Sequence, residues 1–395
     1  MVFSNSKNKE KNENKVDIIK LVNDIFRQGV EEGASDIHIQ PFKDGIIARY
    51  RIDGVLRTVF EGDKNLSEFM FARIKILADM ETTGLPRPQE GNIKFKFNES
   101  FVDLRVSIFP TSQGETVVVR ILESKKFFKE YNDLGFNAEQ TDVLEKVSKR
   151  PYGLILVTGP NGSGKSTTLF TILNKLNVPE KSLVTLEDPV ERKIDMVRQT
   201  NIDPSIGLTF ADGLKYLLRQ DPDVLMVGEI RDKETASIAV QAAVTGHLVL
   251  ATIHTNNAAG AVVRLINMGI EPFLLSSALK FVSAQRLART NCPHCKKEYH
   301  PSKELIDSLD VPQGIKFYNS EGCDKCDGKG IKGRKGIHEV LLITKPVQEL
   351  ILQRPSDEHI NNLAIKEGMT TLRQAALQNV YNGNISIEEA IRLTD

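Results

Sequence analysis

Residues Gly159-Pro160-Asn161-Gly162-Ser163-Gly164-Lys165-Ser166 decide the fold of the larger part of this chain. They match the pattern GxxxxGK[ST] at every fixed position, and they lie between an apolar run, 154–157, and a stretch of helical character, 167–174. In this setting the backbone N–H groups of a glycine-rich turn surround phosphate oxygens, and the N-terminus of the following helix favours an anion. The sequence therefore predicts a phosphate site in an α/β fold.

The residues expected to contact a nucleotide are those of this loop and of the next helical turn. Lys165 is expected to reach the β- and γ-phosphate oxygens, and Ser166 to ligate Mg²⁺. The full set comprises Gly159, Pro160, Asn161, Gly162, Ser163, Gly164, Lys165, Ser166 and Thr167.

Chemically active side chains follow three further apolar runs, 183–186, 224–227 and 248–253. Glu229 is expected to face Mg²⁺ from the end of a neighbouring strand, where ligands bind in α/β sheets. Glu187 is expected to act as a base that orients the attacking water. His254 is expected to sense the γ-phosphate through a hydrogen bond. For each residue the alternative is a plain structural role, either a solvated carboxylate or a satisfied histidine.

The composition disfavours several classes of protein. The 395 residues carry 52 basic and 52 acidic side chains, which argues against a uniformly basic nucleic-acid binder. Aromatic residues reach only 6%, so base-stacking surfaces are not prominent. No apolar run approaches the roughly 20 residues of a membrane span, and the polar N-terminus lacks the apolar region of a signal peptide. We therefore expect a cytoplasmic protein.

Residue patterns divide the chain into six segments. They are a disordered leader (1–15), an α+β domain with an antiparallel sheet (16–125), a linker (126–135), an α/β core with buried parallel strands (136–290), a cysteine module (291–338) and a helical C-terminal region (339–395). Capping boxes are predicted at three helix starts. These are Asn137 with Gln140, Thr371 with Gln374, and Ser386 with Glu389.

Four cysteines form two CxxC pairs, Cys292 with Cys295 and Cys323 with Cys326. Such pairs present thiolates for tetrahedral Zn²⁺, and four thiolates leave no open position for water. The sequence therefore predicts a structural zinc site, in which His294 is not a ligand. The alternative is four reduced, free cysteines.

Further segments of the sequence carry recognisable motifs in addition to the phosphate loop. They are the acidic segment 186–191, the segment 218–232, the histidine segment 247–255, the N-terminal segments 33–39 and 49–54, and the C-terminal segment 367–373. Together with the loop they resemble the secretion ATPases, and more narrowly the GspE/PilB branch that powers type II secretion and type IV pilus assembly. The resemblance covers about 16–395.

This resemblance implies a fold and a set of partners. It implies a RecA-like P-loop ATPase core, a smaller PAS-like N-terminal domain, a zinc-binding insertion, and a homo-hexamer that hydrolyses ATP between subunits. An inner-membrane platform protein is the expected partner, which recruits the chain to the inner face of the cytoplasmic membrane, and no direct contact with nucleic acid is expected. Lys165, Ser166, Glu187, Glu229 and His254 take the roles given above.

Two departures from the family pattern carry expectations of their own. A short leader stands where many relatives have a further N-terminal domain that docks on the platform protein, so recruitment is expected to differ or to use the remaining surface. Residues 89–92 read Gln-Glu-Gly-Asn, where the family has Asp-Gly-Arg after the Gln, so the family's arginine is absent here.

The family also implies arginine fingers, which match Arg105 and Arg120. A hairpin that is symmetric about Ser112 and Gln113 places the two arginines opposite each other on one face of a sheet, where like charges repel. An anion such as a γ-phosphate would relieve that repulsion. The alternatives are two solvated arginines, or ion pairs with Asp103 and Glu115.

The leading functional hypothesis is a motor ATPase for pseudopilus or pilus assembly or for type II secretion. A DNA-uptake pseudopilus motor is one alternative, and a nucleic-acid translocating or conjugation ATPase is another. A third class is a non-catalytic scaffold gated by nucleotide. The zinc module favours an assembly motor, since the retraction motors lack it as a family.

Overall fold

The computed structural model describes residues 16–122, 130–302, 305–306 and 315–394. The predicted leader, 1–15, and residues 126–129 of the predicted linker lie outside the described residues. The chain divides into two compact units, which we call unit 1 (16–122) and unit 2 (130–394).

Unit 1 has two helices and six strands. They are α1 (Ile18–Glu31), β1 (Asp36–Phe42), β2 (Gly45–Ile52), β3 (Val55–Asp63), α2 (Leu66–Leu77), β4 (Gln89–Phe97), β5 (Ser100–Thr111) and β6 (Gly114–Leu122). The strands form one antiparallel sheet in the order β3-β2-β1-β6-β5-β4. The predicted turn at Asp53 and Gly54 is confirmed, because Ile52 pairs with Val55.

The core of unit 1 lies between the sheet and its two helices. In α1 the buried residues Val22, Ile25 and Phe26 recur at helical spacing and form one face. Asp17 starts this helix by accepting a hydrogen bond from the Lys20 N–H. Unit 1 is therefore the α+β unit with an antiparallel sheet that the sequence predicts, and its PAS-like character stays a prediction.

Unit 2 contains further α-helices and strands. They are α3 (Ala138–Ser148), β7 (Gly153–Thr158), α4 (Lys165–Leu176), β8 (Leu183–Glu187), β9 (Val197–Asn201), α5 (Phe210–Leu217), β10 (Val224–Val227), α6 (Lys233–Val244), β11 (Leu248–Ile253), α7 (Ala258–Asn267), α8 (Pro272–Ala278), β12 (Leu279–Asn291), β13 (Lys296–Tyr299), β14 (Phe317–Ser320), β15 (Ile331–Leu342), α9 (Lys345–Leu352), α10 (Asp357–Lys366), α11 (Leu372–Tyr381) and α12 (Ile387–Thr394).

A seven-stranded sheet in the order β15-β12-β7-β11-β10-β8-β9 forms the centre of unit 2. All six residues of β7, all six of β11 and all four of β10 are buried, as expected for strands covered on both faces. The four predicted parallel strands are confirmed as β7, β8, β10 and β11. Strands β9, β12 and β15 were not anticipated from the sequence.

Strands β12 and β15 show that the predicted cysteine module is smaller than its predicted bounds, 291–338. They pair antiparallel from Phe281 with Leu342 to Asn291 with Ile331, so residues 331–338 of the predicted module lie in the core sheet. The glycines at 328, 330, 333 and 336 predict a loop, but residues 331–336 belong to β15. The cysteines lie at the open end of this strand pair.

The capping boxes at Asn137 and Thr371 are confirmed, because each side chain and its Gln partner exchange hydrogen bonds with backbone N–H groups. The box at Ser386 is wrong. Ser386 does accept a hydrogen bond from the Glu389 N–H. The Glu389 carboxylate, however, accepts hydrogen bonds from Arg289 and Arg392, so it is turned away from the helix start.

The C-terminal helices are joined to the core through a buried carboxylate. Glu339 in β15 accepts hydrogen bonds from the N–H of Ala258, at the start of α7, and of Leu372, at the start of α11. Burial raises the pKa of Glu339, and the two N–H donors offset part of that effect. One side chain therefore caps two helices that are far apart in sequence.

Residues 130–135, the end of the predicted linker, and the following Phe136 are packed into unit 2. Tyr131 is only 1% exposed. The ring of Phe136 stacks on His338, with ring centroids 3.7 Å apart. The Nε2 atom of His338 lies 3.0 Å from the carbonyl oxygen of Leu134, and its Nδ1 lies 3.3 Å from the Ser283 hydroxyl. These contacts fix this segment to the core.

Among the described residues, no helix is both long and apolar enough to cross a membrane.

The buried His338 predicts a pH dependence of stability. Burial lowers the pKa of His338 to about 4. Between that value and about 6.5 the unfolded chain binds the extra proton, so stability is lost as the pH falls. From pH 7 to pH 5 we expect His338→Gln to lose about 2 kcal/mol less stability than the parent chain. Urea unfolding at both pH values measures this difference.

The exposed His359 provides the matched control for this experiment. His359→Gln should keep the pH dependence of the parent chain. An unchanged pH dependence in His338→Gln would contradict the assignment.

Candidate active site

The phosphate loop connects β7 to α4, as the motif requires. Lys165 is the first residue of α4, and its ammonium donates hydrogen bonds to the carbonyl oxygens of Gly159 (2.9 Å) and Pro160 (3.0 Å). Burial lowers the pKa of Lys165, with nearby Glu229 acting in the opposite direction and Arg286 adding to the lowering. The loop therefore carries a partly desolvated cation beside the helix N-terminus, which suits a polyphosphate.

The parallel strands bring Glu229 and His254 to the same edge as this loop. The His254 Nε2 atom lies 3.6 Å from a Glu229 carboxylate oxygen. The loop after β11 is tied to the end of β7, because the Thr255 N–H donates to the Thr158 hydroxyl oxygen at 2.8 Å. Lys165, Glu229 and His254 are thus brought together, as the sequence predicts for one site.

His254 is suited to hydrogen bonding rather than to carrying charge. Its side chain is about half exposed. Its pKa is lowered, first by burial and then by the positive charge of Lys165, against the opposite effect of Glu229. A neutral imidazole keeps one N–H group, which can donate a hydrogen bond to a phosphate oxygen.

Glu187 has a different environment from Glu229. It is 4% exposed at the end of β8, and one carboxylate oxygen accepts hydrogen bonds from the Thr185 hydroxyl (2.5 Å) and the Gln199 amide (3.0 Å). Burial raises the pKa of Glu187, although the two hydrogen bonds lower it. A carboxylate that is fixed by hydrogen bonds and has a raised pKa is the type of group that can accept a proton.

Two side chains at this edge, Arg231 and Arg286, were not anticipated from the sequence. The Arg231 guanidinium is hydrogen-bonded to Glu229 and lies 3.7 Å from the Asp188 carboxylate. Arg286 donates to the carbonyl oxygen of Asn256 at 2.9 Å. The position of Arg231, two residues after Glu229, could have signalled it. No local signal pointed to Arg286, because β12 was not anticipated.

The register predicted for Arg105 and Arg120 is confirmed in unit 1, where the two residues pair directly across β5 and β6. Their ionic partners differ from those considered from the sequence. Arg105 contacts Glu90 at 3.0 Å, and Arg120 contacts Asp36 at 3.1 Å. Carboxylates on the neighbouring strands β4 and β1 therefore balance the two like charges.

The four cysteines form one compact cluster in unit 2. Their Sγ atoms all lie within 4.8 Å of one another. The Cys292–Cys323, Cys295–Cys326 and Cys323–Cys326 sulfur pairs are 4.0, 3.8 and 3.8 Å apart. Four thiolates around a tetrahedral ion with bonds of about 2.3 Å lie about 3.8 Å apart. The cluster therefore has the size of a four-thiolate metal site.

Backbone groups also favour thiolates at this cluster. The N–H groups of Cys323 and Gly330 both point at the Cys326 sulfur, at 3.2 Å each. Such donors stabilise a sulfur that carries negative charge.

Comparison with known proteins gives sequence relatives over nearly the whole chain. The type II secretion system ATPase E of Vibrio cholerae is 47% identical over 95% of this chain and 75% of its own length. The type IV pilus assembly ATPase PilB of Thermus thermophilus is 42% identical over 95% of this chain, which corresponds to 43% of the relative.

Two solved structures have a similar fold. The ATPase DotB of Legionella pneumophila has a TM-score of 0.71 at 18% identity, with 97% of each chain covered. The pilus retraction motor PilT has a TM-score of 0.62 at 25% identity, covering 94% of this chain and 96% of its own.

The family model for type II/IV secretion system proteins matches residues 11–392. Together with the relatives, this match confirms the predicted family and the prediction that the chain is an ATPase. The chain therefore belongs to the type II/IV secretion system protein family.

Proposed function

We propose that this chain is a motor ATPase that drives pseudopilus or pilus assembly, or type II protein secretion. The observation that carries the proposal is the meeting of Lys165, Glu229 and His254 at one edge of the parallel sheet. The relatives named for type II secretion and pilus assembly support the choice of machine.

In the proposed reaction Lys165 balances the charge of the β- and γ-phosphates of ATP. Ser166 and Glu229 are the residues that would hold Mg²⁺, which supplies further charge compensation at the phosphates. Glu187 accepts a proton from the attacking water, and His254 hydrogen-bonds the γ-phosphate. The Ser166 hydroxyl and the Glu229 carboxylate are oxygen ligands, which suit a hard cation such as Mg²⁺.

The proposed reaction is completed by a neighbouring subunit of a homo-hexamer. Arg105 and Arg120 of that neighbour would exchange their carboxylate partners, Glu90 and Asp36, for the γ-phosphate. The opposed pair on one sheet supports this role, because two adjacent guanidinium groups can donate hydrogen bonds to different oxygens of one phosphate.

Movement of unit 1 against unit 2 would transmit the reaction to an inner-membrane platform protein, and the chain would work at the cytoplasmic face of that membrane. The burial of Tyr131 and the stacking of Phe136 fix the end of the linker to unit 2. Residues 130–136 would therefore move together with unit 2.

The proposed metal of the cysteine cluster is zinc. The spacing of the four sulfurs suits a tetrahedral ion with soft ligands, and a closed set of four thiolates supports a structural role. Such an ion would tie the end of β12, through Cys292, to the segment that precedes β15.

The role of Glu187 predicts a selective loss of turnover. Glu187→Gln keeps the shape and an oxygen acceptor, but it cannot take a proton. We expect kcat for ATP hydrolysis to fall by about 10²–10⁴, with little change in KM. Steady-state phosphate release measures both constants, and the exposed Glu191→Gln is the control. An equal loss in the control would contradict the assignment.

Sharing of the site between subunits predicts complementation. We mix a chain carrying Arg105→Ala and Arg120→Ala with a chain carrying Lys165→Ala. Each alone should lose at least about 10³ in turnover. Mixed rings should regain ATP hydrolysis, because intact loops then meet intact arginines.

Mixing the Lys165→Ala chain with a chain that carries all three substitutions is the control, and it should stay inactive. Co-purification of the two chains through a tag carried by only one of them must show that mixed rings form. Absence of recovered turnover in such rings would exclude a shared site.

The zinc proposal predicts a metal-dependent stability. The purified chain should contain about one zinc ion, and Cys326→Ser should lose it. Loss of a few kcal/mol of stabilisation should lower the melting temperature of unit 2 by about 10 °C. Elemental analysis and thermal unfolding measure both effects. His294→Ala should retain zinc; its loss in that variant, or full stability without metal, would refute the assignment.

A further inference from the structure

Gln285 in β12 is a buried polar residue that directly contacts the phosphate loop. It is 2% exposed. Its Nε2 atom donates a hydrogen bond to the carbonyl oxygen of Ser163 at 2.6 Å, and its Oε1 accepts one from the Thr168 hydroxyl at 2.9 Å. The side chain thus joins the last turn of the loop to the first turn of α4.

The backbone around Gln285 is held by both neighbouring strands. The preceding residue, Ala284, pairs with Thr158 at the end of β7, and Gln285 itself pairs with His338 in β15. A residue in the interior of a sheet is among the least mobile parts of a fold. The amide of Gln285 is therefore a fixed point against which the loop is positioned.

Two glycines of the phosphate loop lie close to Gln285. A Cβ atom at Gly159 would lie 2.5 Å from the Gln285 carbonyl oxygen, and one at Gly164 would lie 2.9 Å from its Nε2 atom. Both glycines also have positive φ angles, 149° and 89°. The absence of side chains at these positions serves the close approach of β12 as well as the loop conformation.

The next residue in β12, Arg286, holds the loop that follows β11. Arg286 donates to the carbonyl oxygen of Asn256, two residues after His254. Consecutive residues of one strand therefore hold the phosphate loop and the loop that carries the proposed phosphate sensor.

We propose that Gln285 is a positioning residue for ATP binding, which holds the phosphate loop in its binding conformation before the nucleotide arrives. The Ser163 carbonyl oxygen is kept turned toward β12, so the N–H groups of the loop are free to face the phosphates. Gln285 does not touch the reacting atoms. This inference rests on the proposed binding of ATP phosphates by the loop.

The two hydrogen bonds of Gln285, to Ser163 and Thr168, form a clamp on the phosphate loop. Loss of this clamp should weaken nucleotide binding in the ground state and in the transition state alike. A loop that must be ordered by the ligand costs binding energy in both states. Gln285→Met keeps the length of the side chain but removes both hydrogen bonds. We expect KM for MgATP to rise about 10- to 100-fold, with kcat changed by less than about threefold.

The experiment measures KM and kcat of the full chain by phosphate release, and the dissociation constant of MgADP by calorimetry. Ser283→Ala is the matched control, since Ser283 is buried in the same strand and contacts His338 rather than the loop. The control should lose stability while KM and the MgADP affinity stay within about twofold of the parent chain.

The outcomes separate this inference from the proposed function. A parent chain that neither binds nor hydrolyses MgATP refutes the proposed function itself. An active parent chain, with a Gln285→Met variant that is folded and has unchanged KM, refutes only the clamp. If Gln285→Met does not fold, Gln285→Asn, which keeps the amide but is one methylene shorter, must show the same rise in KM, and an unchanged KM there overturns the proposal.

Discussion

The parallel pairing of four buried strands is the constraint on which the rest of unit 2 depends. Strands β7, β11, β10 and β8 are covered on both faces, and their register leaves their carboxyl ends at one edge of the sheet. The phosphate loop, His254, Glu229 and Glu187 each lie at such an end. Burial of aliphatic side chains thus brings together charged groups that would otherwise stay apart in water.

Strand β12 adds a second constraint that acts on the same site. It lies beside β7, carries Gln285 and Arg286 against the two loops of the site, and leads directly into Cys292 of the cysteine cluster. Its other partner, β15, carries Glu339, which caps α7 and α11. The nucleotide site, the cysteine cluster and the C-terminal helices are therefore all joined to one pair of strands.

The parts of the fold that were predictable are those with a local cause. Apolar runs followed by glycine, acid or histidine predicted β7, β8, β10 and β11 and the residues at their ends, and turn residues predicted the hairpin that opposes Arg105 to Arg120. Strand β12 was missed because Gln285 and Arg286 interrupt its apolar pattern for contacts with distant loops. The partners of the arginines were missed for a similar reason, since Asp36 and Arg120 are separated by 84 positions and meet only when β1 and β6 pair.

The central claim is that charge compensation by the phosphate loop supports hydrolysis of ATP in this chain. The most direct measurement is the rate of phosphate release from MgATP by the parent chain and by Lys165→Ala, with Lys146→Ala, an exposed lysine of α3, as the control. We expect turnover by the parent chain and by the control, and a loss of at least about 10³ for Lys165→Ala. Equal turnover in all three chains would contradict it.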